Sequence, residues 1–451
     1  MGNAPAGVAL GLALAWLQGA LLVGWLWPRR ARPALVLLAL ALPAGLALSS
    51  SACFLWIVLS GGRVGAFPAL ELLVTGAAAL VARRRVRRGR LLWPRPARPG
   101  LAWGAPLFLV ALAGIVLALL SEAAAAQPWG HWDAWAMINQ KARFLAAGGD
   151  AWRWIFEGPT IHHRDYPLLL SASVARLWSW SAFLGAPGFA PLAPQVLSLV
   201  TFLGCLAALV AVAALLCAPG LAALTGLGLF ALGWDLEWGA MQYADFAQAT
   251  YLLWGAGILA LAARRPARAE RWCGLLGFLA GASAWCKNEG LAFAALLLAA
   301  ALLVLRPGAR AWARLAGGAL VAGLAAAVLK LGFAGKSRVF EARTRSVWTD
   351  LADGERYRDL VGFLREHVGA SWIPGALLAL LVAALLLPPA RGARRAWIPL
   401  GLALAQALVF ALVMLTTRED FAWHLVTAAD RLLLQVYPLA LLGVAAALRP
   451  R

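Results

Sequence analysis

Apolar runs of about 20 residues, long enough to cross a ~30 Å hydrocarbon layer as helices, recur in this chain from its first residues to its last. They constrain the fold more than any motif does, because a backbone in lipid must satisfy its own hydrogen bonds. With 63% hydrophobic and 13% charged residues, the composition lies well outside that of soluble domains. The expectation is an all-α polytopic transmembrane bundle of about 12–14 spans, with no separate soluble domain. The candidate spans are roughly 5–27, 34–60, 65–82, 101–121, 166–184, 193–217, 221–240, 243–263, 274–286, 290–305, 315–334, 372–388, 397–415 and 426–448. The first run lacks a basic leader and is too long for a signal core, so it is expected to stay as a span.

The formal charge of +20 would suggest nucleic acid in a soluble chain. Here the arginines fall in short loops, at Arg29-Arg30, Arg83 to Arg90, Arg264 to Arg271 and Arg391 to Arg395. That is the positive-inside pattern, and no basic run is interleaved with base-stacking aromatics, so nucleic-acid binding is rejected. With these loops inside, Glu122 to Tyr166, Gly335 to Ser371 and Thr416 to His424 emerge on the outer face. All five histidines (His131, His162, His163, His367, His424) lie in those outer loops. The crossings between Tyr166 and Ala263 do not close in parity, which requires a short, re-entrant or split element there. The five cysteines (Cys53, Cys205, Cys217, Cys273, Cys286) fall inside apolar runs without metal-ligand spacing. They read as core residues, with no disulfide and no metal.

One segment stands apart from the apolar background. Gln127 to Leu169 gathers Asp133, Asp150, Asp165, three histidines and five tryptophans. Trp135, Ile138, Ala142 and Leu145 share a helical face while Lys141 and Arg143 lie elsewhere, the pattern of an amphipathic helix with tryptophans at headgroup depth. Asp133, at its start, is placed either to take a proton from an attacking hydroxyl or to cap the helix. At the end of the segment, His162-His163-Arg164-Asp165-Tyr166-Pro167 opens the next span. Its histidines and arginine suit a phosphate or a sugar hydroxyl, while Asp165 beside Pro167 also suits a cap.

Further charges sit in apolar surroundings. Asp235, Glu237 and Asp245 lie in one such region, and Lys287-Asn288-Glu289 interrupts the apolar stretch Gly274 to Leu305. Intramembrane ionisable groups usually face a cavity or each other, so Lys287 and Glu289 line an internal site near the outer face or form a mutual ion pair. Arg431 lies about two turns inside the last span. It is placed to hold a phosphate bidentately, to pair with Asp430 or to snorkel.

The order of these motifs resembles the GT-C integral membrane glycosyltransferases, in particular bacterial relatives of protein O-mannosyltransferases and of aminoarabinose lipid A transferase. It runs from the aspartate of His131-Trp132-Asp133-Ala134-Trp135, through the His…Asp-Tyr-Pro-Leu-Leu span opening and Tyr243-Ala244-Asp245, to Gly…Lys-Asn-Glu-Gly. The resemblance covers roughly Leu101 to Arg451. It implies an additional N-terminal region of three helices (1–100) before a GT-C-like catalytic domain (101–451) with its first outer loop at 122–165. It further implies a polyprenyl-phosphate-linked sugar as donor, a glycan, lipid or protein acceptor and inversion at the anomeric carbon. No cofactor is expected; a divalent cation is left open, and the residues do not indicate one. Asp133 matches the family's general base; His163, Asp165, Tyr166 and Pro167 match its span opening. Lys287 matches the lysine of its Gly-x-Lys segment, and Arg431 its late phosphate-contacting arginine. The chain departs from the family pattern at Ala134, where a glutamate is usual, and at Tyr166, where a proline is usual.

The expected function is therefore a bacterial inner-membrane glycosyltransferase with its site facing the periplasm or the outside. Asp133 is expected to be catalytic, and His131, Trp135, His162, His163, Asp165, Tyr166, Asp245, Lys287, Glu289 and Arg431 to bind substrate. The rival classes are a transporter or flippase of lipid-linked saccharides, which inverted repeats would favour, and a non-catalytic membrane scaffold.

Overall fold

A computed structural model describes residues 3–27, 34–87, 104–158, 161–217, 219–232, 235–264, 269–334, 346–369, 397–417 and 419–448. Of these residues 87% are helical and none forms a strand. Nine helices among them are long and apolar enough to cross a membrane. The expected spans at 5–27, 34–60 and 65–82 become α1 (Ala4–Leu26), α2 (Ala34–Ser60) and α3 (Phe67–Arg87). α4 (Gly104–Ala126) follows, and the expected span at 372–388 lies outside the described residues.

Two faces can be assigned from contacts. On one, Trp27 at the end of α1 packs edge-on against Trp272, ring centroids 5.0 Å apart. Trp272 lies in the first turn of α12 (Glu270–Cys286), where Glu270 also pairs with Arg314 of α14 (Ala309–Val328). Arg264, ending α11 (Asp245–Arg264), donates to the Leu216 carbonyl ending α8 (Leu192–Leu216). This is the arginine face. On the other, Gly149 N–H donates to the Gly62 carbonyl just past α2, and Gln195 near the start of α8 donates to Ala124 at the end of α4. This is the loop face, because it carries residues 127–168.

The parity problem is resolved by α7 (Leu169–Phe183), a helix of 15 residues. Its first residue shares a small apolar cavity with Leu42, Pro43, Thr201, Thr250 and Tyr251, all well inside neighbouring helices. Its last turns lie beside the start of α1: Ser181 donates to the Ala4 carbonyl, and Asn3 donates to the Leu184 carbonyl. The chain therefore dips in as far as Leu169 and returns to the loop face as α7, so the segment expected as a span at 166–184 is re-entrant. The next expected crossing, 221–240, is broken into α9 (Pro219–Gly228), a short 3₁₀ turn and α10 (Asp235–Ala240). α12 and α13 (Asn288–Leu305) form a hairpin that rises from the arginine face and turns at Lys287. α17 (Ile398–Leu415) and α18 (Phe421–Leu448) complete the bundle, after two short loop-face helices, α15 (Val347–Leu351) and α16 (Gly354–Gly369).

Helix pairs approach closely where small residues allow it, since lipid offers no hydrophobic drive for helix association. A Cβ at Gly277 of α12 would stand 1.9 Å from the Leu315 carbonyl oxygen of α14, and one at Gly318 of α14 would stand 2.0 Å from that of Gly274. The N-terminal helices are packed into the same body. α2 touches α7, α8, α12 and α14, and a buried ion pair ties α3 to the re-entrant helix. Arg176 Nε lies 2.8 and 2.9 Å from the two carboxylate oxygens of Glu71, Trp180 Nε1 donates to the same carboxylate, and Arg176 Nη2 donates to the Gly11 carbonyl. All five cysteines are buried.

Two outcomes follow. Cysteines introduced at the exposed Gly185 and Arg153 should both be labelled by an impermeant thiol reagent from the same side; labelling from opposite sides would show that α7 crosses. Glu71→Gln should cost about 3–5 kcal/mol in reversible unfolding, because it leaves a buried guanidinium uncompensated. Much of that loss should return in Glu71→Gln with Arg176→Met.

Candidate functional site

Five ionisable side chains from four segments form a continuous chain at the loop-face end of the bundle. Asp245 begins α11, directly after the buried Tyr243-Ala244 turn. Its side chain is 1% exposed, and Oδ1 accepts from Lys287 Nζ at 2.8 Å and from Gln435 Nε2 at 2.7 Å. Lys287, at the tip of the α12–α13 hairpin, also lies 3.4 Å from Glu289. On the other side of Asp245, Oδ2 meets Arg431 Nε at 3.3 Å, and Arg431 Nη1 pairs with the Asp133 carboxylate. Three carboxylates against two cations leave one formal negative charge in excess. Burial grades along the chain, from Asp245 at 1% to Arg431 at 17% and Asp133 at 21%.

The loop residues reach this chain by different routes. Tyr166 donates its hydroxyl to Glu289 at 3.2 Å. Asp165 accepts from Asn288 Nδ2 at 2.9 Å, and Lys330 bridges Asn288 Oδ1 and Asp165. Asp165 stands outside α7, whose N-cap is Leu168. His131 Nδ1 lies 2.7 Å from the Tyr243 hydroxyl. Lys141 Nζ donates to the carbonyl of His163, whose φ of +49° is unusual for a residue with a side chain. His162 and Trp135 are not brought into the cluster: each lies against Trp132 on the lip, and Trp135 is 51% exposed.

Several expectations change. Asp133 does not cap its helix: it has helical dihedrals, makes no cap bond, and its carboxylate goes to Arg431 instead. The segment after it is a π-helical turn, Ala134–Asn139, continued by α5 (Gln140–Ala147). The extra residue per turn shifts the register, so Lys141 points inward with Ala142 and Leu145 instead of lying off the buried face, and Asn139 is buried against Trp129 and Gln242. Arg431 turns to Asp133 and Asp245 instead of to lipid headgroups. Lys287 and Glu289 do pair, and Asp245 is the nearer partner. His424 lies within the first turn of α18, bonded to Thr417, and not in the preceding loop. Glu237 is exposed and apart from the chain of charges.

Sequence reasoning missed Glu71, Arg176, Lys330 and Gln435, and named Asn288 only as part of the Lys287-Asn288-Glu289 interruption. Glu71, Arg176 and Lys330 were marked by their location, an ionisable group inside or ending an apolar run; Gln435 carried no such mark. Among the described residues no group of three histidine, cysteine, aspartate or glutamate side chains could hold a metal ion. Arg431 and, farther along, Lys330 are partly exposed cations that could meet an anion.

Lys141 and Tyr243, outside the spans, have altered acidity. Burial pushes the Lys141 ammonium down to about 7, opposed by nearby Asp165 and reinforced by Lys330. Burial pushes the Tyr243 phenol up to about 12, with Arg431 working against it. Tyr243 therefore stays a neutral hydroxyl near pH 7.

No protein-family model matches the chain, and no curated protein and no solved structure matches it.

Lys141 gives a pH signature. The unfolded chain holds this proton up to about pH 10.4 and the folded one releases it near 7, so charging Lys141 opposes folding. The penalty is complete below pH 7 and disappears as pH rises toward 10. The thermal midpoint of the wild type, relative to Lys141→Met, should therefore rise across that window. A constant difference from pH 6 to 10 would mean that Lys141 stays charged when folded.

Proposed function

We propose that this chain is a membrane glycosyltransferase that moves a sugar from a polyprenyl-phosphate donor to an acceptor hydroxyl, with Asp133 as general base. The acceptor is a glycan, lipid or protein. The arginine distribution favours a loop face on the periplasmic or external side of a bacterial inner membrane. One observation carries the reading: a partly exposed carboxylate shares its guanidinium partner with a second, fully buried carboxylate, at the edge of an apolar bundle. Such an arginine can exchange its outer partner for another anion while the inner one retains it.

A lipid-phosphate sugar brings its own leaving group, so the protein needs a base, a phosphate contact and a place at the membrane surface. The acceptor oxygen attacks the anomeric carbon, and the bond from that carbon to the phosphate oxygen breaks on the opposite side, inverting the centre. The acceptor proton passes to Asp133, which becomes neutral. The polyprenyl phosphate gains one negative charge as it leaves, and Arg431, already turned from Asp133 to the donor phosphate, takes up that charge. Asp245 and Lys287 remain paired throughout. In this reading His131, Tyr166 and Glu289 hold sugar hydroxyls, and Lys330, bonded to Asp165 and Asn288, lies near the Tyr166 end.

A transporter of lipid-linked saccharides is the second reading. The re-entrant α7 and the hairpin broken at Lys287 are backbone features common around substrate sites in transporters.

Purified protein in lipid, incubated with labelled polyprenyl-phosphate sugars and candidate acceptors, separates these readings. The expected result is transfer by the wild type and a loss of about 10²–10⁴-fold in Asp133→Asn, with donor still bound. Equal transfer by both proteins would remove Asp133 as base. Donor moved between leaflets of sealed vesicles without transfer would favour transport, and absence of donor binding would refute both.

A further inference from the structure

Arg431 has a third partner besides its two carboxylates. The Tyr243 ring lies under its guanidinium, with Cζ 4.2 Å from the ring centroid, well within the ~6 Å over which a cation is attracted to an aromatic face. Tyr243 is 6% exposed and wedged against Trp238, ring centroids 5.5 Å apart. Its hydroxyl is 2.7 Å from His131 Nδ1. The main chain around this contact is equally fixed. His131 N–H donates to the Met241 carbonyl, and Gln242 N–H donates to Ser198 Oγ. Gly130, at φ +71°, packs so closely that a Cβ would stand 2.5 Å from the Met241 carbonyl oxygen.

A free arginine side chain has many rotamers, and this one must keep its plane when its outer partner changes. Asp245 fixes Nε, and a single such contact leaves the guanidinium able to swing about that bond. A ring pressed on one face removes this freedom. His131 adds a second constraint, since it lies two residues before Asp133 on the same short segment. The hydrogen bond from that segment to the Tyr243 hydroxyl sets the carboxylate and the cation at a common spacing.

We infer that Tyr243 and His131 are positioning residues for Arg431: the ring sets the plane of the guanidinium, and the histidine locks the ring to the segment that carries Asp133. The purpose assigned to this arrangement, presenting Arg431 to a lipid phosphate, rests on the glycosyltransferase reading; the arrangement itself does not.

The test uses the full chain in lipid nanodiscs with ¹⁵N-labelled arginine. The Nε–H resonance of Arg431 is identified by its loss in Arg431→Lys. In the wild type it should be sharp and displaced upfield by the ring, in Tyr243→Phe displaced but broadened because the bond to His131 is lost, and in Tyr243→Leu it should return toward the ordinary arginine position. The same position in wild type and Tyr243→Leu, or no protected Arg431 resonance in the wild type, would overturn the inference. If Tyr243→Leu does not fold, Tyr243→Trp takes its place, with a further upfield displacement expected and an unmoved resonance overturning the proposal. His131→Ala should broaden the Arg431 resonance; an unchanged line would overturn the role of His131.

Binding of undecaprenyl phosphate to the same samples supplies the second readout. Tyr243→Leu should weaken it on the order of 3- to 10-fold, with partial retention in Tyr243→Phe. Undiminished binding in Tyr243→Leu would overturn the positioning role. No binding by the wild type, with the upfield resonance present, would remove the lipid-phosphate reading and leave the platform standing.

Discussion

Asp245 is the contact on which the rest of the molecule depends. A carboxylate at the start of a membrane helix, almost without solvent, is tolerated only if its charge and lone pairs are met. Lys287 from the α12–α13 hairpin and Arg431 and Gln435 from α18 meet them. Three helical elements far apart in sequence are thereby fixed to one point. The hairpin turns at Lys287 because the lysine must reach Asp245, and α18 keeps an arginine ten residues from its start because the same carboxylate awaits it.

Graded burial divides this chain of charges into two parts with different chemistry. The Asp245–Lys287 pair is dry and permanent, since breaking it would strand a charge. The Asp133–Arg431 pair stands at the accessible edge, where water competes and exchange is cheap. Arg431 belongs to both parts, and the single excess negative charge of the cluster is relieved when Asp133 takes up a proton. A site of this kind couples proton capture at its lip to anion retention by its arginine, without rearranging the helices beneath.

Much of the bundle was legible from the sequence, because a span is set by length and apolarity alone, and runs such as 193–217 and 397–415 satisfy both. Direction was not legible. Hydropathy registers that 166–184 is apolar but not that Leu169 sits beside Pro43 while Ser181 sits beside Ala4. The polar segment from Gln127 to Leu169 was correctly singled out, yet a 3.6-residue period could not anticipate the π-turn that rotates Lys141 inward. Pairings across large sequence distances, Glu71 with Arg176 or Asp133 with Arg431, leave no local periodicity. Only the energetic cost of each charge hinted that a partner existed. Tyr243 shows the opposite case: it was noted beside Asp245 as part of a motif, but its service to Arg431 depends on a contact 188 residues away.

The proposed exchange of Asp133 for a lipid-linked phosphate at Arg431 would be visible in an experimental structure of the full chain in lipid with a non-transferable polyprenyl-phosphate sugar. The expected result is a phosphate oxygen about 2.7–2.9 Å from the Arg431 guanidinium, with Asp133 turned toward the anomeric carbon and Asp245 still bound to Arg431. A phosphate bound elsewhere, with the Asp133–Arg431 pair intact, would contradict it.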